Sequence, residues 1–146
     1  LTIFVDTAVM MYAGGRPHPL RAPCRDILGH VAAGRIDGVT SAEVVQEILH
    51  RFSALELRSI GAQMARDTLD LFAPVIPITH EVMARMPPLF DDYPALTARG
   101  LVHVATCQAE GISSILTPDA GFDDVRLVDR VPPDDAAAVG RVLGER

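Results

Sequence analysis

The chain has 146 residues, 49% of them apolar, with 13 basic and 19 acidic side chains and a formal net charge of −6. That length and apolar content suit a single domain, 1–146, with its own core, and exclude a disordered chain; no apolar run is long enough to span a bilayer. Every basic residue is Arg, and the net acidity excludes a large non-specific nucleic-acid footprint while leaving room for a small metal-centred site.

Residues Thr2–Val5, three of them apolar, read as a buried strand that runs straight into Asp6. AVMMYAGG then reads as a short helix stopped by Gly14 and Gly15, and RPHP as a loop. A helix is expected over Leu20–Ala33, with Ile27, Leu28 and Val31 inward and Gly34 as its stop. RIDGV is a short strand candidate that delivers the chain to Thr40. In TSAEVVQEILHRF, Val44, Val45, Ile48, Leu49 and Phe52 recur at helical spacing. A further helix over Leu57–Leu71 aligns Leu57, Ile60, Met64, Thr68 and Leu71. VIPIT is a strand candidate that Pro77 confines to a sheet edge or a strand end. Thr79 is placed to cap the next helix, which MPPLFDDYP ends or kinks. Leu96–Ala109 reads as an amphipathic helix with Ala98, Leu101, Val102, Ala105 and Ala109 in line. SSILT and VRLVD are short strands, and the tail PPDDAAAVGRVLGER is a final helix of low stability.

Short strands alternating with longer helices predict a three-layer α/β/α sandwich around a mostly parallel sheet. In such folds ligands gather outside the carboxyl ends of the strands. Asp6 directly follows the first strand, and Thr117 and Asp119 directly follow SSIL. Asp6 has two readings, an N-cap for AVMMY or a divalent-metal ligand, because an unpaired buried carboxylate is costly. TSAE is a capping-box pattern in which Thr40 caps and Glu43 reaches back to the cap amide. Glu47, one turn further along the same stripe, has no capping role. Asp119, Asp123 and Asp124 cluster in a loop shaped by Pro118 and Gly121 and anchored by Phe122. Such a loop is a solvated turn or a source of oxygen ligands for Mg²⁺ or Mn²⁺.

Four motifs in order, FVDTAV, TSAEVVQEILHRF, LTARGLVHVATCQAEG and ILTPDAGFDD, resemble those of the PIN-domain nucleases, in particular the VapC-type toxins of toxin–antitoxin pairs. The resemblance runs over nearly the whole chain. It implies a PIN-like fold and a Mg²⁺- or Mn²⁺-dependent endoribonuclease acting on structured RNA such as tRNA or rRNA. It further implies a homodimer and an antitoxin partner whose C-terminal segment covers the site. Residue by residue, the family acids match Asp6, Glu47, Asp119 and Asp123, with Thr117 as a supporting hydroxyl. The family acid that opens ARDxxHxA is replaced by Gly100 in ARGLVHVA. A naturally weakened metal site and a disarming substitution both produce such a glycine. The alternatives to an active nuclease are a catalytically weak PIN-like protein that binds RNA or its antitoxin, and a domain whose acids are all caps and turns.

The remaining polar residues read as structural. His103 is expected to be packed with one nitrogen satisfied, and His18, His30, His50 and His80 form no ligand spacing. Cys24 and Cys107 match no metal or disulfide pattern, and Cys107 reads as a small core side chain. With no leader pattern in view, a reducing, cytoplasmic setting is expected. Met10, Met11 and Tyr12 are assigned to the core or to a dimer surface. Arg16, Arg51 and Arg99 are candidate phosphate contacts.

Overall fold

A computed structural model describes residues 1–144. The chain runs β1 (Thr2–Val5), α1 (Thr7–Ala13), α2 (Arg21–Ala32), β2 (Asp37–Val39), α3 (Ala42–Ala54), α4 (Arg58–Leu71), α5 (His80–Ala84), α6 (Met86–Asp92) and α7 (Ala98–Glu110). It continues through β3 (Ser114–Leu116), a 3₁₀ turn (Ala120–Asp124), β4 (Asp129–Val131) and α8 (Ala136–Val142). The four strands form one all-parallel sheet in the order β2-β1-β3-β4. This is the expected α/β sandwich.

The order of the strands places the site. From β1 the chain moves one way to β2, then crosses β1 to reach β3 on its other side. Right-handed crossovers in opposite directions put α2 and α7 on opposite faces of the sheet. They also open a crevice where the direction reverses, at the carboxyl ends of β1 and β3. The central strands are covered on both faces, as parallel sheets require: Ile3, Phe4, Val5, Ile115 and Leu116 are fully buried.

Several elements depart from their predicted form. The Thr40–Glu43 capping box does not form. Ser41 is the N-cap of α3, its Oγ accepting from the Val44 amide at 3.4 Å. Thr40 is drawn away because its hydroxyl donates to the Val5 carbonyl at 2.8 Å, tying β2 to the end of β1. VIPIT is not a strand. It contributes one isolated bridge, Ile76 to Ser41, and Pro77 has no amide with which to continue the ladder. The prolines after Met86 do not simply end a helix; they occupy the first turn of α6, where no amide is needed. The second short strand is Asp129–Val131 rather than VRLVD.

Helix α4 buries Gly61 and Ala65 and, of the predicted stripe, Thr68 alone. Small residues let it approach α3 closely: a Cβ on Gly61 would lie 2.5 Å from the Phe52 Cβ. Ile60, Met64 and Leu71 are left lining an apolar groove of about 600 Å³ with Met10 and Leu28. Helix α7 is buried continuously from Leu101 to Cys107, because it lies between the sheet and the short helices α5 and α6. It is capped by Thr97 and stopped by Gly111 at φ 69°, a left-handed position that suits glycine. The tail forms α8, capped by Asp135; its predicted last residues, Glu145 and Arg146, lie outside the described residues. No described helix is long and apolar enough to cross a membrane.

Candidate metal centre

Asp6 caps α1, one of the two readings open from the sequence, and its side chain also lines a cleft. The β1 ladder runs one residue beyond the strand, the Asp6 amide donating to Leu116 O at 3.1 Å. This fixes the side chain at the crevice between β1 and β3. As the N-cap of α1, Asp6 Oδ1 accepts from the Thr7 amide at 2.7 Å. Its Oδ2 accepts from Thr117 Oγ1 at 2.8 Å. The same hydroxyl accepts from the Asp119 amide at 3.1 Å. A chain of hydrogen bonds thus couples the loop after β3 to the end of β1. Asp119 Oδ1 accepts from the Gly121 amide at 2.9 Å and caps the 3₁₀ turn. That turn seats the fully buried Phe122 on the core, as its apolar character predicts.

Asp6, Glu47, Gly100, His103, Asp119 and Phe122 line one cleft of about 500 Å³. Glu47 reaches it from the second turn of α3 and is 6% exposed. It has no ion pair among the described residues. Asp6 is 7% exposed, and among the described residues His103 is the one basic side chain within ion-pair distance of it. Buried carboxylates without protein counter-charges are costly unless a cation is supplied. The electrostatic consequence reaches Cys107, whose thiol is pushed up to about 12, first by burial and then by the charge on Asp6. Oxygen donors from β1, α3 and the β3 loop converging on one cleft fit a hard divalent cation.

Gly100 also lines this cleft, in the first turn of α7, with its amide donating to Thr97 Oγ1 at 3.2 Å. A Cβ there would meet Leu96, Phe122 and Thr97 at 3.5–3.6 Å, ordinary contact distances. The position therefore accommodates a side chain, and packing does not demand the glycine. Asp123 is not among the residues lining the cleft. Arg130, on β4, holds it through two bonds, Nε to Oδ1 at 2.7 Å and a terminal guanidinium nitrogen to Oδ2 at 3.0 Å. That pairing keeps its carboxyl below the usual range. Asp124 and Asp92 line a separate cleft, with Tyr93 and Arg126.

His103 sits on α7 inside this cleft. It does pack, its ring centroid 5.3 Å from that of Phe4. Neither ring nitrogen makes a hydrogen bond, however, so the expected satisfied nitrogen is absent. Nε2 lies 3.3 Å from Asp6 Oδ1, within ion-pair distance but not aligned as a hydrogen bond. The signal available in the sequence was its place one helical turn after Gly100. Arg51 and Arg99 border the same cleft. Arg16 lies with Arg51 and Asp119 on an adjoining one.

The PIN domain family model matches residues 3–127. The chain is 36% identical over 148 aligned residues to Ribonuclease VapC7 of Mycobacterium tuberculosis strain H37Rv, covering 99% of each. It is 38% identical over 117 residues to Ribonuclease VapC23 of that organism, covering 80% of this chain and 92% of the relative. In structure it resembles FitAcB from Neisseria gonorrhoeae, with a TM-score of 0.69 and 20% identity, covering 90% of this chain and 97% of the other. A toxin–antitoxin complex from Klebsiella pneumoniae gives a TM-score of 0.64 at 19% identity, with the same coverage. At that identity the solved structures speak for the fold, and the two mycobacterial relatives for the group within it. The parallel sheet, the acid-lined crevice and the near full-length similarity place this chain in the PIN-domain family, among the VapC proteins.

Proposed function

We propose that this protein is the toxin of a toxin–antitoxin pair, an endoribonuclease that depends on Mg²⁺ or Mn²⁺ and cleaves structured RNA such as tRNA or rRNA. The observation that carries this reading is the convergence of Asp6, Glu47 and Asp119 on one cleft in a chain so similar to proteins named ribonucleases. Asp6, Glu47 and Asp119 would hold the ion. When bound, a divalent ion lowers the pKa of a coordinated water and offsets charge on a phosphoryl group. Thr117 and the Thr7 amide orient Asp6 by donating to both of its oxygens. Arg51 and Arg99 at the cleft border offer guanidinium donors to phosphate oxygens. The family resemblance adds Asp123, held by Arg130, as an acid that would support the ion from the edge of the cleft.

The same reading includes an antitoxin partner, since the neighbours in structure include a toxin–antitoxin complex, and a homodimer in the cytoplasm. Few phosphates are engaged, so binding should weaken only gradually with salt. The second reading, a weak catalyst that binds RNA or antitoxin, is favoured by one observation: Gly100 supplies no carboxylate where the cleft has room for one.

The test is cleavage of tRNA, rRNA fragments and duplex DNA by the purified chain in Mg²⁺, Mn²⁺ and EDTA, beside Asp6→Asn. Ion-dependent cleavage of structured RNA that Asp6→Asn abolishes is expected. RNA retention on a native gel without cleavage in either metal would establish the second reading. Equal cutting of duplex DNA would overturn the substrate assignment.

A further inference from the structure

We propose that His103 is itself a metal ligand, its Nε2 joining Asp6 and Glu47 in a mixed nitrogen–oxygen set that takes Mn²⁺ or Co²⁺ in preference to Mg²⁺. The inference rests on the metal-dependent reading above and states which donors, and therefore which ions, this particular chain uses.

Three observations carry it. The first is proximity: one ligand atom each from Asp6, Glu47 and His103 lie within 4.8 Å of one another, and all three residues are buried. The second is the state of the ring. His103 is 2% exposed, yet neither nitrogen has a hydrogen-bond partner. Buried polar nitrogens are almost always satisfied, so an orphaned one aimed at carboxylates is anomalous. Its 3.3 Å approach to Asp6 Oδ1 is not that of an aligned hydrogen bond. It is close to the separation of two donors on one ion, about 3.0 Å along an octahedral edge and about 3.4 Å along a tetrahedral one for ligands near 2.1 Å.

The third observation is what α7 lacks. Of the α7 residues that line the cleft, Ala98, Arg99, Gly100 and His103, only His103 carries an atom that can ligate a metal. Gly100 stands one turn before it and contributes no carboxylate. The helix therefore presents an imidazole, not an oxygen pair, to Asp6 and Glu47. Ligand type then sets ion preference. Mg²⁺ dehydrates reluctantly and favours oxygen donors, whereas imidazole suits the later first-row ions. Exchanging one carboxylate for a neutral imidazole also removes a negative charge, which weakens the site for Mg²⁺ more than for an ion that gains from the nitrogen.

The experiment uses the full chain and the metals alone. Calorimetric titrations with MgCl₂, MnCl₂ and CoCl₂ are paired with electron spin-echo spectroscopy of the Mn²⁺-loaded protein, which detects nitrogen bonded to the ion. The expected result is tighter binding of Mn²⁺ and Co²⁺ than of Mg²⁺ and a nitrogen coupling in the parent chain. His103→Asn should abolish the coupling and weaken Mn²⁺ and Co²⁺ by roughly 10- to 100-fold, the scale on which ligand-sphere changes act. Gly100→Asp should restore Mg²⁺ binding and narrow the preference. Melting in EDTA checks the fold of each variant, and the parent spectrum decides the matter if His103→Asn does not fold. Mn²⁺ bound without nitrogen coupling would overturn the ligand assignment and leave the metal-dependent reading intact. Failure of both the parent and Gly100→Asp to bind any of the three ions would overturn that reading as well.

Discussion

Replacing Asp6 by Asn separates the two roles that this residue combines. As a cap the change is mild, because Asn accepts from the Thr7 amide as well as Asp does. The Thr117 contact is altered: the hydroxyl that donates to Oδ2 at 2.8 Å must now accept from an amide NH₂. Exchanging a charge-assisted hydrogen bond for a neutral one costs about 1 kcal/mol. Relief of the like-charge pairing with Glu47 opposes that loss. In EDTA the two proteins should therefore melt within a few degrees of each other. With an ion the difference should grow. At a free ion concentration of about 100 times Kd, binding stabilises by about 2.7 kcal/mol. A tenfold weaker site at the same concentration gains only about 1.4 kcal/mol. The missing 1.3 kcal/mol or so corresponds to about 3–5 °C of melting temperature for a domain of this size. Melts of both proteins in EDTA and in Mn²⁺, with calorimetry for the affinities, measure all of these quantities. An equal ion-induced rise in both proteins would refute the placement of the ion at Asp6.

Three further outcomes follow from particular contacts. The folded Asp123 carboxyl sits below its ordinary value of 3.8 because Arg130 binds it. Its contribution is therefore present above about pH 4 and is lost as pH falls through the lowered folded value; melts from pH 5 to 2 should show a shallower acid decline in Asp123→Asn. Ser41→Ala should cost about 0.5–1 kcal/mol as the loss of a cap, and Glu43→Ala less than about 0.5 kcal/mol because no reciprocal bond exists; urea midpoints that reversed the order would return the cap to the Thr40–Glu43 pair. Gly100→Ala should stabilise by up to about 1 kcal/mol, as expected for glycine replaced in a helix. Gly61→Ala should destabilise by about 1–3 kcal/mol through its 2.5 Å approach to Phe52, and thermal melts compare the two.

The sequence by itself determined those features that depend on neighbours along the chain. The apolar run Ile3–Val5 reads as part of a covered strand, which puts the carboxylate after it at the strand's carboxyl end. Thr79 before HEV carried its capping chemistry in its own residue type. The family resemblance supplied Glu47 over Glu43, which helical periodicity alone did not decide. Tertiary structure decided wherever two local options were nearly equal in energy. Thr40 and Ser41 are adjacent hydroxyls, and pairing of β2 with β1 gave Val5 O to the first and the cap to the second. Helix α4 had a larger apolar stripe available, but close approach to Phe52 favoured its small residues. Helix α7 looked two-faced, yet short helices covered its outer side. Asp123 was one carboxylate of a loop until β4 brought Arg130 beside it. His103 had the sequence appearance of a core residue. Only the crossing of α7 over the end of β1 set its Nε2 against Asp6, because a helix fixes the direction of a side chain but not what it meets.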